Sequence, residues 1–505
     1  METSIGALVS ASAARYGSKT ALVVNGYRYS FSEIDHLSSA IATRLRQQGY
    51  GRGTTASICA PNSAEWIIAY YGILKAGCIV NPLNLMLTAP EAVYSLMDCG
   101  ASVLFGLSDK LAAVRAAMGG NSPLLVSFDG QAGDLESFQE WLGTPVDHAL
   151  EVGQDLLSEI STVAYTSGTT GKPKGALLTH RSILLNVEMT ATYHGRTSQD
   201  TVVSALPLSH VYGNIVMQCA ITYGMTLILH STFNAEDILQ SIQDYRATIF
   251  EGVPTMYLYL LDFPRFAEFD LSSLTRCTVG GQTMPLAKMK EVEARFGARL
   301  LELWGMTELG GLGITHSVLG EPRLSSVGIP FPCVQVGIMA PDALGRFLPA
   351  GEVGELVIKG PLTTVGYLNQ PDASAETIDS TGYLHTGDLA YMDDDGYVYV
   401  VDRLKDMIIT AGFNIYPAEI EGVLYEHPSV AMAAVVGVPD PVKGELAKAF
   451  VVLSKGCQLT EQELFDFCRA RLASYKIPRL CAFVDDLPRT GSGKILRRAL
   501  REKLA

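Results

Sequence analysis

The sequence predicts an α/β fold: a large N-terminal domain of layered α/β sheets with a β-rich subdomain, followed by a small C-terminal α+β domain. Three observations carry this expectation. Short apolar runs alternate with amphipathic stretches through most of the chain. From about residue 330 the texture changes to short strands punctuated by Gly and Pro. The last 100 residues mix strand and helix patterns again. A chain of 505 residues also exceeds what a single core usually holds.

Ile34, Leu37, Ile41 and Leu45 recur at helical spacing, and Gly49 and Gly51 stop that helix. "TASICA" (55–60) reads as a short strand and 66–75 as a second helix. "ASVLFG" (101–106) and "PLLVSF" (123–128) read as buried strands. Residues 129–158 are polar and acidic, and read as a surface excursion. A strand over 161–165 then feeds a Gly-rich loop, and "MTLILH" (225–230), "ATIFEGVP" (247–254) and "RCTVGG" (276–281) are further apolar runs. "VQVGIM", "GELVIKG" and "GYVYVVDR" form the β-rich unit. Beyond Asp402 the pattern is β-α-β-β-α, ending in a basic helix over 495–503. Thr460 and Glu463 form a capping box ahead of Leu464 and Phe467. The domain boundary falls near 402–405.

Bulk properties exclude several functions. Hydrophobic residues make up 48% and charged residues 18%, as in a folded protein with a sizeable core. A net charge of -14 disfavours nucleic acid and anionic membrane as partners. The nine cysteines are scattered without CxxC, and are expected to be buried, reduced thiols. The nine histidines show no HExxH, so no structural transition metal is expected. The N-terminus is a poor signal peptide, no apolar run is long enough for a membrane span, and "REKLA" is not an SKL-type ending. These features predict a soluble, cytoplasmic protein. A homodimer stays open.

"YTSGTTGKPKG" (165–175) concentrates glycines, hydroxyls and two lysines. Glycines let backbone N–H groups approach phosphate closely, and hydroxyls and ammonium groups add donors and charge. The spacing is not that of a Walker loop: six positions on from Gly168, counted inclusively, stands Pro173, and from Gly171, Ala176. On composition alone, a phosphate cradle and a flexible surface turn both remain open.

Six further motifs follow in order: "LPLSHVYG" (206–213), "GGQTMP" (280–285), "LWGMTE" (303–308), "YLHTGDL" (383–389), "DRLKDMIITAGFNIYPAEIE" (402–421) and "PRTGSGKILRR" (488–498). Together with the loop they resemble the adenylate-forming superfamily of acyl-CoA synthetases, peptide-synthetase adenylation domains and luciferases. The similarity is closest to bacterial fatty- or aryl-acid CoA ligases. It implies two half-reactions. A carboxylate attacks the α-phosphate of ATP, giving an acyl-adenylate and pyrophosphate; a thiol, usually of coenzyme A, then displaces AMP. It also implies Mg²⁺, which spreads the phosphate charge.

The resemblance assigns roles residue by residue. Thr166, Ser167, Gly168, Thr169, Thr170, Gly171 and Lys174 would hold the β- and γ-phosphates. Thr307 would contact the α-phosphate, and Glu308 would carry the metal. Trp304, where the family typically has Tyr, and Gly305 would border the adenine; Gly280, Gly281 and Gln282 would line the adenine and acyl pocket. Asp388 and Arg403 would hold the ribose hydroxyls. Lys494 would neutralise charge on the α-phosphate and carboxylate during adenylation. His210, Val211, Val253 and Gly311 would line the acyl pocket. Gly412 and Phe413 would approach the pantetheine arm of coenzyme A after a swing about Lys405. The implied domains are 1–402, a hinge at 403–405 and a mobile unit at 406–505. Taken singly these residues are unremarked: a lysine in a Gly/Ser turn is a solvated charge, and paired glycines after a strand are a tight turn.

The expected acyl-pocket segments, 206–217, 250–260, 280–286 and 309–315, contain no Lys or Arg. A second substrate charge would need a buried partner. A neutral, apolar monocarboxylic acid, fatty or aryl, is therefore expected. A stand-alone enzyme loading a carrier protein is the first alternative. A luciferase-like oxygenase and a non-catalytic nucleotide-binding protein are weaker ones.

Overall fold

The computed structural model describes residues 4–120, 122–130, 133–147, 156–166, 173–341, 345–410, 413–491 and 493–502. The expected contributions of Ser167, Gly168, Thr169, Thr170, Gly171 and Gly412 lie outside these residues.

Two large sheets of seven and nine strands organise the first part of the chain. In the nine-stranded sheet, Thr201–Ser204, Thr226–Leu229, Ile249–Gly252, Arg276–Gly280 and Arg299–Met306 run parallel, as the apolar runs predict. Ile249–Gly252 and Arg276–Gly280 are buried along their whole length, because a parallel strand is covered on both faces. The helices Phe31–Gln47, Ala64–Lys75, His180–Tyr193 and Val211–Thr222 contribute to the one apolar core that the two sheets share. Gln335–Met339, Gly354–Lys359, Leu384–Met392 and Val398–Arg403 form the β-rich unit, an antiparallel four-stranded sheet.

The next strand, Ile408–Thr410, belongs to a different sheet, whose core around Ile420, Val435 and Phe450 also takes in Leu258 of the large domain. Here the expected β-α-β-β-α order proves too short. The chain folds as β-β-α-β-β-α-β-α. The hairpin Ile408–Thr410/Phe413–Ile415 and the strand Leu480–Phe483 are three or four residues long and partly exposed, too short to show a period. The final helix starts at Arg497 rather than 495, because Ile495 pairs with Arg489 to close the loop bearing Lys494. The capping box of Thr460 and Glu463 forms as expected.

Two other expectations need correction. The 129–158 stretch is not merely superficial: Phe138 and Trp141 are buried against Phe105, at ring separations of 6.1 and 5.5 Å. Aromatic burial outweighs the polar average of the segment. Nor are all the thiols buried. Cys457 is exposed, in a turn closed by its N–H to the Ser454 carbonyl. Among the described residues no helix is long and apolar enough to cross a membrane.

Candidate active site

The strand Ile160–Thr166 pairs antiparallel with Lys174–Thr179, and Thr166 stands opposite Lys174. The Gly-rich loop therefore joins two strands of a hairpin, and both its ends are fixed. Lys174 Nζ lies 5.2 Å above the Tyr367 ring. Tyr367 Oη donates to Glu308 Oε1 at 2.7 Å. Glu308 sits in the 3-10 turn Thr307–Leu309, which follows the strand Arg299–Met306. Two distant motifs are thereby joined through a tyrosine that the sequence did not single out.

Glu308 is buried, and no cation pairs with it among the described residues. Among the described residues no group of three or more His, Cys, Asp or Glu converges there to form a closed cage. One buried, uncompensated carboxylate suits Mg²⁺, which takes one or two protein carboxylates and completes its shell with phosphate and water oxygens.

Asp388 and Arg403 face each other on adjacent strands, with Nε 2.6 Å from Oδ1. Trp304 Nε1 donates to the other Asp388 oxygen at 2.8 Å. Burial pushes the Asp388 carboxyl above the ordinary range, against the pull of Arg403. The Trp304 ring is almost wholly buried, so its visible part is to orient Asp388. Gly305 is obligatory for packing: a Cβ there would lie 2.1 Å from the Gly311 carbonyl oxygen of the paired strand. Gly311 in turn packs on Asn186 and Ile215.

The loop carrying Lys494 docks on the large domain. Thr255 Oγ1 donates to the Gly493 carbonyl at 2.8 Å. Ile495 N donates to Gln282 Oε1 at 3.1 Å. Gly281 has φ +91°, and a Cβ there would lie 2.9 Å from Lys494 Cε, so the lysine stem crosses this glycine. Val253 Cγ2 would lie 3.1 Å from a Cβ at Gly493, beside the same loop. Lys494 is pushed down to about 8 by burial and by Arg403, while Asp388 pulls the other way. His210 caps the helix Val211–Thr222, its Nδ1 accepting the Tyr212 N–H at 3.2 Å. Burial, with Lys494 nearby, lowers His210 to about 3, so its imidazole is neutral.

His210, Val253, Gly281, Gln282, Asp388, Arg403 and Lys494 are thus brought together. Val211 is half-buried at the helix start. Gly280 packs on Leu303, which leaves its neighbour Gly281 to meet the lysine. Lys405 and Phe413 lie elsewhere: Lys405 is exposed in the turn Leu404–Asp406, and Phe413 stacks on Tyr475 at 4.7 Å.

Sequence reasoning overlooked the charges at the domain junction. Asp402 accepts the Ala418 N–H at 2.9 Å and faces Arg497 at 3.4 Å. Arg497 also pairs with Glu421, at 2.8 Å. Burial raises Asp402 to about 6. The segment 250–260 has no Lys or Arg, but it does hold Glu251, buried and paired with Arg196 at 2.5 Å. That pairing links residues on different elements, so no local pattern announces it.

Known proteins agree with this architecture. The AMP-binding enzyme profile matches residues 9–368, and the AMP-binding enzyme C-terminal domain profile matches 419–494. A long-chain-fatty-acid–CoA ligase of Bacillus subtilis (strain 168) is 35% identical, over 97% of this chain and 93% of its own. A feruloyl-CoA synthase of an Amycolatopsis species is 38% identical, over 96% of each chain. The crystal structure of an anthranilate CoA ligase in complex with anthranoyl-AMP superposes with a TM-score of 0.93 and 27% identity, covering 100% of this chain and 99% of that one. With both profiles matched in order and relatives aligned end to end, the chain belongs to the AMP-binding enzyme family and is an acyl-CoA synthetase, an AMP-forming carboxylate–CoA ligase.

Proposed function

We propose that this enzyme activates an apolar monocarboxylic acid, fatty or aryl, as its acyl-adenylate and then transfers the acyl group to coenzyme A. The observation that carries the reading is the docked loop, which holds Lys494 across Gly281 beside Asp388 and Arg403. An ammonium group held there would offset the charge of a carboxylate and an α-phosphate brought together.

In the first half-reaction a carboxylate oxygen attacks the α-phosphorus and pyrophosphate leaves. Asp388 accepts from the ribose hydroxyls, with Arg403 and Trp304 fixing its two oxygens. Thr307 donates to the α-phosphate. Glu308 would hold Mg²⁺, which when bound spreads the triphosphate charge. Lys174, Thr166 and the loop between them would hold the departing phosphates. In the second half-reaction the thiol sulfur attacks the acyl carbon and AMP leaves. We place 1–402 and 406–505 as separate units about a hinge at 403–405. Support comes from the change of sheet between Arg403 and Ile408 and from a second core drawn almost wholly from residues after 406, with Leu258 the one buried residue from the large domain among those described. Lys405, exposed in that turn, would act as the pivot. A swing would withdraw Lys494 and bring Gly412 and Phe413 towards the site.

An apolar acid is supported by the neutral His210, by Val253, and by compensation of the buried Arg196 by Glu251. The test is AMP release dependent on coenzyme A, across a panel of acids. Hexanoate and benzoate should each exceed malonate. Malonate as the far better substrate would overturn the apolar assignment, and AMP release that requires a carrier protein instead of coenzyme A would overturn the acceptor.

A further inference from the structure

A buried polar cluster lies behind the reacting end of the site. Tyr212 Oη is 2.6 Å from Thr278 Oγ1 and 3.2 Å from Glu251 Oε2. Thr278 Oγ1 also donates to Glu251. Arg196 Nη2 pairs with the opposite Glu251 oxygen at 2.5 Å, both side chains essentially excluded from solvent. The same Nη2 reaches His194 Nδ1 at 3.1 Å, and His194 Nε2 meets Thr315 Oγ1 at 2.9 Å. None of these groups is needed for the two half-reactions.

Their position follows from strand register. Glu251 and Thr278 are paired on the neighbouring parallel strands Ile249–Gly252 and Arg276–Gly280. Two residues beyond Glu251 is Val253, and three beyond Thr278 is Gly281, the pair that meets the Lys494 loop. Glu251 and Val253 share one face of the extended chain. At about 3.3 Å per residue, the cluster sits roughly 7 Å below the reacting end. Tyr212 stands two positions after His210, on the helix that covers this face.

We infer that Tyr212, Glu251, Thr278 and Arg196 form the floor of the acyl pocket and restrict the enzyme to short acids or single-ring aryl acids. The inference rests on the proposed acyl-adenylate reading. A long chain could pass only by parting a buried ion pair. Breaking such a pair leaves an uncompensated charge, and the burial of a few methylenes does not offset that. The floor is neutral as a whole, so it does not call for a second charge on the substrate.

The experiment is the chain-length profile of kcat/KM for AMP release, from butyrate to palmitate, with benzoate alongside. Palmitate should fall at least about 100-fold below the best short or aryl acid. Palmitate within about tenfold of that acid overturns the floor. Failure of the underlying reading looks different: no acid of any length supports AMP release. A variant sharpens the result. Tyr212→Ala should move the optimum to longer acids while the KM for ATP changes little; Tyr212→Phe, which keeps the ring, should keep the optimum. If Tyr212→Ala lowers every acid by the same factor, Tyr212 is merely structural and the inference fails. Should that variant not fold, the profile of the unaltered enzyme still decides.

Discussion

Thr255→Val and Gln282→Ala test whether the docked loop is the adenylating arrangement. Thr255 Oγ1 donates to the Gly493 carbonyl at 2.8 Å, and Gln282 Oε1 accepts the Ile495 N–H at 3.1 Å. These two bonds flank Lys494. Each contributes roughly 1 kcal/mol net, so losing one should lower the docked population about fivefold. Losing both removes at most about 2 kcal/mol, or roughly 30-fold, because bonds this close do not add independently. Valine preserves the shape of Thr255, which isolates the hydroxyl. ATP–pyrophosphate exchange reads the first half-reaction. Single-turnover transfer from preformed acyl-adenylate to coenzyme A reads the second. Exchange should slow by these factors, and transfer should hold or improve. If exchange is unmoved, or if both halves slow equally, the loop contacts do not select a pose.

Three other outcomes follow from the same geometry. Lys494 sits at about 8, and the proposed role of neutralising substrate needs its charged form, so kcat/KM for adenylation should fall as pH rises through about 8. Lys494→Arg should lose that alkaline limb, since guanidinium stays charged; a limb that persists points to another group. Trp304→Phe deletes the donor to buried Asp388; a bond to a carboxylate contributes about 1.5–3 kcal/mol, so KM for ATP should rise at least roughly tenfold. An unchanged KM would show that Asp388 needs no such orientation. Glu302 is buried, accepts the Ser325 N–H at 3.1 Å, and burial holds its pKa well above the carboxylate range. Its folded pKa exceeds its unfolded one, so the stability it contributes is full at acid pH and is lost as pH rises towards the folded value. Glu302→Gln should therefore raise Tm more at about pH 8 than at about pH 5. An equal shift at both would exclude linkage at this carboxyl.

The parallel strands were legible because burial on both faces demands unbroken apolar runs, as in "ATIFEGVP" and "RCTVGG". The family was legible because its motifs are runs of chain neighbours, such as "LWGMTE" and "PRTGSGKILRR". The order of elements after Asp402 was read too short, because strands of three or four residues leave no period to detect.

The sequence by itself determined the class of fold, the family and the residue types available for adenylation. Only the tertiary structure decided which of them meet. Gln282 receives an N–H from a residue 213 positions away, and Trp304 reaches Asp388 across 84. Arg196, in the loop after the helix His180–Tyr193, finds Glu251 on a strand 55 positions further along the chain. Local patterns report the faces an element must bury. They do not report which distant charge stands behind that face, because the pairing depends on the register of strands and the docking of domains.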